Sequence, residues 1–314
     1  MATMKALRAH ARGGPEMLVY EDAPVPEPGP GQVRVRVSAA AITFAELDWD
    51  ETWARGGVSR TPTIPSHEFV GTVDALGAGV TDLALGQRVF GLLPFDHDGA
   101  AAGFAVADSD ILAAAPVTLD DVHVAAIPLA ALTVWQAFVH HAPVNAGDEV
   151  LVHGGAGGVG VFAIQLAHRL GARVTTTARV DDEGTLRRLG ADRVIDFRTA
   201  RFDDAERYDV VLDTVGGEIL NRSYPVVKPG GALITLQGPP DAGRVAQLGI
   251  RGIFFIVTPS RSDLEELAKL ADAGALRALI SATYPLADGR AAFASRSTPN
   301  RAPGKTVLTV TQAG

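Results

Sequence analysis

The chain has 314 residues, 47% hydrophobic and 20% charged, which is enough for two globular domains with a sizeable core. Its net charge of −8 argues against nucleic acid or an anionic membrane as the main partner. The absence of cysteine excludes disulfides, thiolate catalysis and cysteine-ligated metal centres. No signal peptide and no apolar run of about 20 residues is recognisable, so we expect a soluble cytoplasmic protein with no membrane partner.

The first part of the chain has the pattern of β-strands. Strands are predicted at Met4–Ala9 and Leu18–Tyr20. Gln32–Ser38 alternates valine with polar residues at period two, which indicates a strand with one buried face. Short apolar segments between glycine turns follow from Ile64 to Gly91, a pattern typical of a small barrel.

An aromatic and acidic segment between Ala39 and Pro65 interrupts this pattern. Two interpretations are open. Leu47, Trp49 and Trp53 form a short helix that packs against the barrel, or the aromatic side chains form the apolar wall of a substrate pocket.

A glycine-rich turn lies between a strand and a helix in the middle of the chain. Val150–Val152 reads as a buried strand, Gly155, Gly157 and Gly160 have the G-x-G-x-x-G spacing, and an apolar pattern at helical spacing follows. Such a turn brings backbone N–H groups and a helix N-terminus close to a pyrophosphate. No Lys-Ser or Lys-Thr pair follows, which disfavours a nucleoside-triphosphate loop. The sequence predicts a dinucleotide site, with a purely structural glycine turn as the alternative.

Strands and helices alternate after this turn. The predicted strands are Glu149–His153, Arg173–Thr177, Arg193–Asp196, Asp209–Asp213, Ala232–Leu236 and Ile253–Val257. The predicted helices are Glu183–Leu189, Glu218–Tyr224 and Asp263–Ala273. Six such strands predict an α/β fold with a doubly wound parallel sheet. The tail beyond Gly274 is predicted to return to the N-terminal domain through strands Leu279–Tyr284 and Lys305–Val310.

The end of the second strand bears on the choice of cofactor. An NAD site has an acidic residue there, whereas this chain has Arg179 preceded by Thr177. A guanidinium and a hydroxyl suit a 2′-phosphate, so we predict NADPH rather than NADH. Asp181 and Asp182 weaken this case, and we expect them to cap the helix that starts near Glu183.

Several further segments occur in an order typical of one family: Gly13–Glu16, Pro28–Val33, Pro65–Gly71, Leu85–Val89, Leu129–Trp135, Ala156–Gly160, Leu189–Asp192, Asp213–Gly217 and Gly304–Leu308. With them, the chain resembles the zinc-independent quinone oxidoreductase branch, which includes zeta-crystallin-like proteins, of the medium-chain dehydrogenase/reductase superfamily. The resemblance covers nearly the whole length. It implies an NADPH-dependent oxidoreductase with a GroES-like catalytic domain (1–122 and 278–314) and a Rossmann NADPH-binding domain (123–277).

The predicted cofactor contacts lie in the glycine turn and at strand ends. We expect the pyrophosphate to contact Gly155, Ala156, Gly157, Gly158 and Val159, and the 2′-phosphate to contact Thr177 and Arg179. Residues at the ends of the last two strands, Gln237, Gly238, Phe255 and Val257, are expected to flank the nicotinamide half, because ligands bind outside the carboxyl ends of parallel strands. Thr133 and Lys305 resemble family residues near the cofactor.

The chain departs from its zinc-dependent relatives at one position. Alcohol dehydrogenases of the superfamily bind catalytic zinc through a cysteine near the position of Thr43 and a histidine in a Gly-His-Glu motif. This chain keeps His67 and Glu68 but has threonine instead of that cysteine. We therefore expect no metal, and a zinc site built from His67, Glu68 and His97 is the alternative.

Without a metal, reduction of a quinone or an α,β-unsaturated ketone (enone) is the most plausible chemistry. Hydride addition to such an acceptor produces an enolate that needs a hydrogen-bond donor or a proton. The candidate catalytic residues are Thr43, His67 and His97, with water as a competing proton source and a structural polar role as the alternative for each. Asp48, Asp50 or Asp96 could orient a histidine.

Two other classes of function stay open because fold alone does not determine chemistry. One is a dedicated enoyl reductase, or a non-redox enzyme, of a biosynthetic pathway. The other is a non-catalytic NADPH-binding protein. We also expect a homodimer, formed by pairing of the edge strand Ile253–Val257 with its copy.

Overall fold

A computed structural model describes residues 2–203 and 206–310, and the chain divides into two units. Unit 1 is Met1–Leu132, Thr258–Arg301 and Lys305–Gly314, and unit 2 is Thr133–Val257 and Ala302–Gly304. The predicted domain limits at residues 1 and 314 lie outside the described residues.

The elements follow one another in this order. Unit 1 begins with strands β1 (Thr3–Ala9), β2 (Leu18–Pro24), β3 (Gln32–Ile42), β4 (Ala54–Arg55), β5 (Val58–Ser59), β6 (Glu68–Leu76), β7 (Arg88–Leu92), β8 (Phe104–Asp108) and β9 (Leu112–Ala114), and with helices α1 (Asp50–Trp53) and α2 (Asp121–Ala125). The boundary between the units falls within helix α3 (Pro128–Trp135), after Leu132, and the π-helical turn that continues it, Gln136–His141, belongs to unit 2. Unit 2 contains strands β10 (Glu149–His153), β11 (Arg173–Ala178), β12 (Arg193–Asp196), β13 (Tyr208–Asp213), β14 (Val227–Thr235) and β15 (Arg251–Phe254), and helices α4 (Gly158–Arg169), α5 (Glu183–Arg188), α6 (Gly217–Ser223) and α7 (Ala242–Leu248). The last part contains α8 (Arg261–Asp272), β16 (Ile280–Pro285), α9 (Gly289–Ala294) and β17 (Lys305–Thr309).

The main sheet of unit 1 has the strand order β16–β17–β3–β6–β7–β9, and β8 also pairs with β3. Its long strand β3 has the predicted alternation: Val33, Val35 and Val37 are buried, whereas Arg34 and Arg36 form ion pairs with Asp74 on β6. The alternation arises because successive side chains of a strand point to opposite faces. The predicted return of the tail is confirmed, because β17 pairs antiparallel with β3.

Helix α8 belongs to unit 1, whereas the predicted boundary at residue 277 placed it in the nucleotide-binding domain. Its ends are held there by polar contacts. Arg261 forms a 2.6 Å ion pair with Asp82, and the Asp272 carboxylate accepts hydrogen bonds from the backbone and hydroxyl of Thr118, both at 2.9 Å. These partners are more than 150 positions away in the sequence, so the local helical pattern carries no sign of them.

Unit 2 is built on the predicted parallel six-stranded sheet, in the order β12–β11–β10–β13–β14–β15. The prediction was wrong at three places. Helix α7 was not predicted, because none of its residues is buried and its signals are confined to its two caps, the Asp241 side chain that accepts from the Arg244 backbone and the left-handed Gly249. Strand β14 begins five residues earlier than predicted, and the last strand, β15, lies two to three residues earlier than predicted. No helix in the described part of the chain is long and apolar enough to cross a membrane.

One residue ahead of β6 has an unfavourable backbone conformation. Ser66 is fully buried and has φ of +70°, in the left-handed region that favours glycine. Its hydroxyl makes no hydrogen bond to any residue that the structure describes. The left-handed backbone and the unbonded hydroxyl both lower the stability of the protein. The backbone N–H of Ser66 donates to Glu46 at 2.8 Å, and a change of side chain leaves this N–H group in place.

We therefore expect Ser66→Gly to raise the free energy of unfolding by about 1 kcal/mol, because glycine adopts this φ without strain and removes a buried hydroxyl. Urea titration followed by circular dichroism measures the change. Ser38→Gly, within β3, is the control and is expected to lose about 0.5–1 kcal/mol. A loss at both positions would contradict the argument.

Candidate functional site

The glycine turn of unit 2 runs from the end of β10 at His153 to the start of α4 at Gly158. A Cβ atom at Gly155 would lie 2.1 Å from Thr176 Oγ1, and one at Gly160 would lie 2.2 Å from the Gly154 carbonyl oxygen. Only glycine fits at these two positions. Gly157 is exposed, and the first N–H groups of α4 have no acceptor within the helix. The turn therefore has the form of a pyrophosphate cradle, and the residues present fit a dinucleotide.

A buried hydrogen-bond network lies beneath this turn. Thr177 Oγ1 accepts from the Gly154 N–H at 3.2 Å and lies 3.2 Å from His153 Nδ1. His153 Nε2 lies 3.0 Å from Ser223 Oγ, which in turn donates to the Ile219 carbonyl at 2.7 Å. With the serine hydrogen used in this way, His153 donates to Ser223 from Nε2. A neutral ring protonated at Nε2 then accepts from the Thr177 hydroxyl at Nδ1.

Burial, together with the smaller effect of the positive charge of Arg222, lowers the pKa of His153 to about 3. The ring packs edge-on against Phe202, with 4.4 Å between centroids. An uncharged histidine here ties the ends of β10 and β11 to α6. Thr177 supports the glycine turn from below, and its predicted contact with the cofactor stays a prediction.

Arg179 follows the end of β11, as the sequence indicated, and is held by an acid nearby. Its Nε and Nη2 atoms donate to the Asp182 carboxylate at 2.9 and 3.2 Å. Asp182 makes no capping hydrogen bond to α5, so the predicted capping role is wrong for this residue. The carboxylate orients the guanidinium and also competes with any phosphate for its charge.

The other predicted cofactor residues of unit 2 follow the carboxyl ends of the parallel strands. Gln237 and Gly238 come after β14, and the Gln237 side chain donates to the Thr214 carbonyl at 3.1 Å. Phe255 comes directly after β15, and its ring lies 4.3 Å from that of His141. Val257 is buried, and so is Thr133, which lies on α3. The sheet thus places Gln237, Gly238 and Phe255 at the same edge as the glycine turn.

The predicted catalytic residues of unit 1 are linked through Glu46. This side chain is 1% exposed. Its Oε1 atom accepts from the Thr43 N–H at 3.2 Å, and its Oε2 atom accepts from the Ser66 N–H and lies 3.1 Å from His67 Nδ1. His67 Nε2 lies 3.1 Å from the His97 carbonyl oxygen. The sequence placed Glu46 near Thr43 but gave no sign of this role, because its partners come from separate segments.

A second buried acid lies beside this group. Glu68 Oε1 lies 2.6 Å from Lys305 Nζ, and Glu68 Oε2 accepts from the Leu129 N–H at 2.9 Å. Lys305 Nζ also donates to Thr43 Oγ1 at 3.1 Å. Burial raises the pKa of the Glu68 carboxyl, and the ammonium of Lys305 opposes this rise. Lys305, which was predicted to contact the cofactor, is therefore also part of the polar cluster around Thr43.

The three residues of the alternative zinc site are engaged with other partners. Both nitrogens of His67 face oxygen atoms, of Glu46 and of the His97 backbone, and the carboxylate of Glu68 faces Lys305. Within residues 2–203 and 206–310, no group of three or more histidine and acidic side chains is arranged to hold a metal ion.

The predicted pairing of a histidine with a nearby acid occurs at His97. Its Nδ1 atom lies 2.7 Å from Asp96 Oδ1, and Arg55 forms an ion pair with the same carboxylate at 3.3 Å. His97 is more accessible than His67, with 35% of its side chain exposed. The Asp96 carboxylate therefore orients the His97 ring through its contact with Nδ1.

The aromatic segment after β3 has both structural and cavity-lining side chains. Trp53 is buried, and its indole donates to the Leu47 carbonyl at 2.9 Å. Phe44 and Leu47 line a cavity of about 490 Å³ together with Phe293 and Arg296. The packing interpretation is therefore right for Trp53, whereas use of this cavity by a substrate stays a prediction.

Comparisons with known proteins agree with this architecture. A family model described as "Alcohol dehydrogenase GroES-like domain" matches residues 29–116, and one described as "Zinc-binding dehydrogenase" matches residues 189–308. The 2-haloacrylate reductase of Burkholderia sp is 32% identical, over 90% of this chain and 92% of that protein. The chloroplastic NADPH-dependent alkenal/one oxidoreductase of Arabidopsis thaliana is 32% identical, over 97% of this chain and 79% of that protein.

A solved structure of the quinone oxidoreductase from Coxiella burnetii superimposes with a TM-score of 0.89 at 29% identity, covering 99% of this chain and 100% of that one. Some relatives are far longer. The chain matches 6% of the mycoketide-CoA synthase of Mycobacterium tuberculosis, 12% of a spectinabilin polyketide synthase system protein of Streptomyces orinoci and 5% of a polyketide synthase of Streptomyces halstedii, at 34–36% identity.

The buried His153 makes stability depend on pH. Because its folded-state pKa lies below the ordinary 6.5, the unfolded chain binds a proton at this ring between pH 6.5 and pH 3 and the folded chain does not. Its contribution to stability is complete above pH 6.5 and falls, by up to about 1.4 kcal/mol per pH unit, as the pH decreases.

We expect His153→Gln to lose stability less steeply than the wild type between pH 6.5 and pH 4, as measured by urea unfolding at a series of pH values. His10→Gln, at a side chain that is 51% exposed, is the control and is expected to keep the wild-type slope. Equal slopes for all three proteins would show that His153 is not a buried neutral ring.

Proposed function

The chain belongs to the zinc-independent quinone oxidoreductase branch of the medium-chain dehydrogenase/reductase superfamily, and on that basis we propose that it is an NADPH-dependent, zinc-free reductase of quinones or α,β-unsaturated carbonyl compounds. It is an oxidoreductase that uses a nicotinamide cofactor. The glycine turn carries the proposal, since Gly155 and Gly160 leave no room for a side chain and Gly157 is open to a ligand.

When bound, the nicotinamide supplies the hydride. We propose that the residues from Gly155 to Val159 bind its pyrophosphate through backbone N–H groups. Gln237, Gly238, Phe255 and Val257 would flank the nicotinamide half, because they follow the strand ends where ligands bind in open parallel sheets. Thr133 and Lys305 complete the proposed cofactor contacts.

The preference for NADPH rests on Arg179. The residue that directly follows β11 is Arg179 and not an acid, and its guanidinium is oriented by Asp182. Asp182 carries a negative charge next to the proposed phosphate position, so it lowers the discrimination against NADH that Arg179 alone would give.

The proposed acceptors come from the relatives. Proteins named for reduction of 2-haloacrylate, of alkenals and alkenones, and of quinones share this fold and at least 29% identity with the chain. Each name describes an electron-poor double bond or a quinone, which accepts hydride without a metal. The zinc-free proposal is supported by Thr43 in place of a cysteine and by the hydrogen bonds that engage both nitrogens of His67.

A dedicated enoyl reductase of a biosynthetic pathway is the second candidate, because the chain also matches short parts of polyketide synthases. Its substrates would be enoyl thioesters. A non-redox enzyme or a non-catalytic NADPH-binding protein would instead bind the cofactor and oxidise it with none of these acceptors.

NADPH consumption, followed by absorbance, tests the proposal with quinones, enones, enoyl thioesters and simple aldehydes as acceptors. We expect turnover of a quinone or an enone that is unaffected by a chelator. Turnover of enoyl thioesters alone would favour the second candidate, and tight NADPH binding without any turnover would exclude both.

The same assay tests the cofactor preference. We expect Arg179→Ala to weaken NADPH binding about 10- to 100-fold and NADH binding little, because one charge-assisted contact is lost. Asp182→Asn is the matched variant at the partner and is expected to increase the preference for NADPH. An equal effect of Arg179→Ala on both cofactors would contradict the assignment.

We also propose a homodimer that forms through β15, the outer strand of the unit 2 sheet. Phe254 is 38% exposed on this strand and Ile256 is 57% exposed just after it. An open strand edge with apolar side chains pairs readily with its copy across a two-fold axis.

Multi-angle light scattering is expected to give twice the chain mass of 32.7 kDa for the wild type and the monomer mass for Phe254→Glu/Ile256→Glu, because the new charges would face each other across the axis. Leu85→Glu, at a side chain in unit 1 that is 63% exposed, controls for added charge and is expected to stay dimeric. A dimer for all three proteins would place the interface elsewhere.

A further inference from the structure

We propose that the Thr43 hydroxyl is the hydrogen-bond donor to the oxygen on which negative charge develops in the acceptor, with Lys305 and Glu68 as its positioning residues. This inference rests on the proposed reduction of a carbonyl-conjugated acceptor. It selects one of the three candidate catalytic residues and adds two residues that hold it.

The direction of the hydrogen bonds leads to Thr43. Lys305 Nζ lies 3.1 Å from Thr43 Oγ1. An ammonium group has only donors, so the threonine oxygen is the acceptor in this contact. The hydroxyl hydrogen must then point to another partner, and Oγ1 makes no further hydrogen bond to any residue described by the structure. A donor is therefore available for a ligand at this atom.

The accessibility of the cluster supports the same atom. Thr43 is partly exposed, whereas Glu46, His67, Glu68 and Lys305 are between 1% and 7% exposed. Thr43 is therefore the most exposed of these five residues.

The hydroxyl is also held in a fixed position. Thr43 directly follows β3, and its backbone N–H is bound by Glu46. Lys305 begins β17, which pairs with β3, and its ammonium is fixed by Glu68 at 2.6 Å. A donor fixed before the reaction stabilises developing charge without the cost of reorganising at that moment.

The chemistry balances with this role. The bound reduced nicotinamide would lose one C–H bond with its electron pair and so be oxidised, and the hydride forms a C–H bond at the electron-poor carbon of the enone. The π electrons of the acceptor shift so that its carbonyl oxygen gains a negative charge, and Thr43 donates a hydrogen bond to that oxygen and keeps its proton. Water then protonates the α carbon and is left as hydroxide, and the electron pair returns to restore the carbonyl group. The neighbouring ammonium polarises the threonine O–H bond and strengthens the donor.

The two histidines are less suited to this role. His67 is 2% exposed, and both its nitrogens already face oxygen atoms. His97 is accessible, but its Nδ1 atom is engaged with Asp96. His97 could still donate to the acceptor oxygen through Nε2. The test therefore has to distinguish His97 from Thr43.

The experiment compares Thr43→Val with Thr43→Ser in enone reduction and in binding of 4-nitrophenolate, an aromatic oxyanion, without cofactor. We expect Thr43→Val to lower kcat about 100-fold while leaving the Kd for NADPH unchanged, because one oxyanion donor is lost. It should also weaken binding of the probe about tenfold, which is typical of one charge-assisted hydrogen bond. Thr43→Ser should retain both properties.

Thr283→Val, on an exposed part of β16, is the matched control for the substitution and should behave as the wild type. Lys305→Met should weaken probe binding, and adding Thr43→Val to it should cost little more, because the two residues act together. If Lys305→Met fails to fold because Glu68 is left buried and unpaired, Lys305→Met/Glu68→Gln replaces it.

Wild-type probe binding and turnover in Thr43→Val would overturn the inference, as would a loss confined to His97→Gln. Failure of the proposed function gives a different result: the wild type turns over no acceptor, yet probe binding still falls in Thr43→Val. Loss of enone reduction in Thr43→Val with recovery in Thr43→Ser would support the inference even if the probe binds too weakly to measure.

Discussion

The carboxylate of Glu46 accepts hydrogen bonds from two backbone N–H groups, of Thr43 and Ser66, and contacts the ring of His67. A buried carboxylate without such partners would cost several kcal/mol, so its burial requires all of them to be in place. The segment after β3 and the segment before β6 are thereby fixed to each other. The left-handed backbone of Ser66 is consistent with this constraint, since it presents the Ser66 N–H to Glu46.

The glycine turn of unit 2 is formed by close approach of backbone segments, and no buried charged group that the structure describes holds it. Gly155 and Gly160 let strand, turn and helix come within distances that a Cβ atom would prevent. The neutral ring of His153 then joins Thr177 to Ser223 beneath the turn. Charging this ring would require a buried cation, which is why burial keeps its pKa low. The position of the turn is thus set by packing and hydrogen bonds that a bound nucleotide would not have to create.

Two acids, Glu46 and Glu68, and two nitrogen-bearing side chains, His67 and Lys305, are linked by hydrogen bonds and ion pairs to Thr43, the position at which the family resemblance implies a zinc-binding cysteine in alcohol dehydrogenases. Glu46 contacts His67, and Glu68 contacts Lys305. These contacts engage the His67 ring and the Glu68 carboxylate, two of the side chains here that could bind a metal. They leave the Thr43 hydroxyl next to the Lys305 ammonium. In the proposed role of Thr43, a hydrogen-bond donor fixed at this position would stabilise the charge that develops on an acceptor that is already electron-poor.

Elements with local signals could be predicted from the sequence. The alternation in β3, the glycine spacing before α4 and the six apolar segments of unit 2 each reflect a short-range rule of backbone geometry, and the fold class followed from their order. Helix α7 lacked such a signal beyond its caps.

The pairing of Asp182 with Arg179 became visible only in the folded chain. An aspartate three residues after the arginine could either cap the next helix or form an ion pair, and the sequence does not distinguish the two. Lys305 and Thr43 are 262 positions apart, and their contact exists only because β17 returns to pair with β3. Hydrogen-bond partners at such distances are set by strand pairing and packing, which no local pattern of residues records.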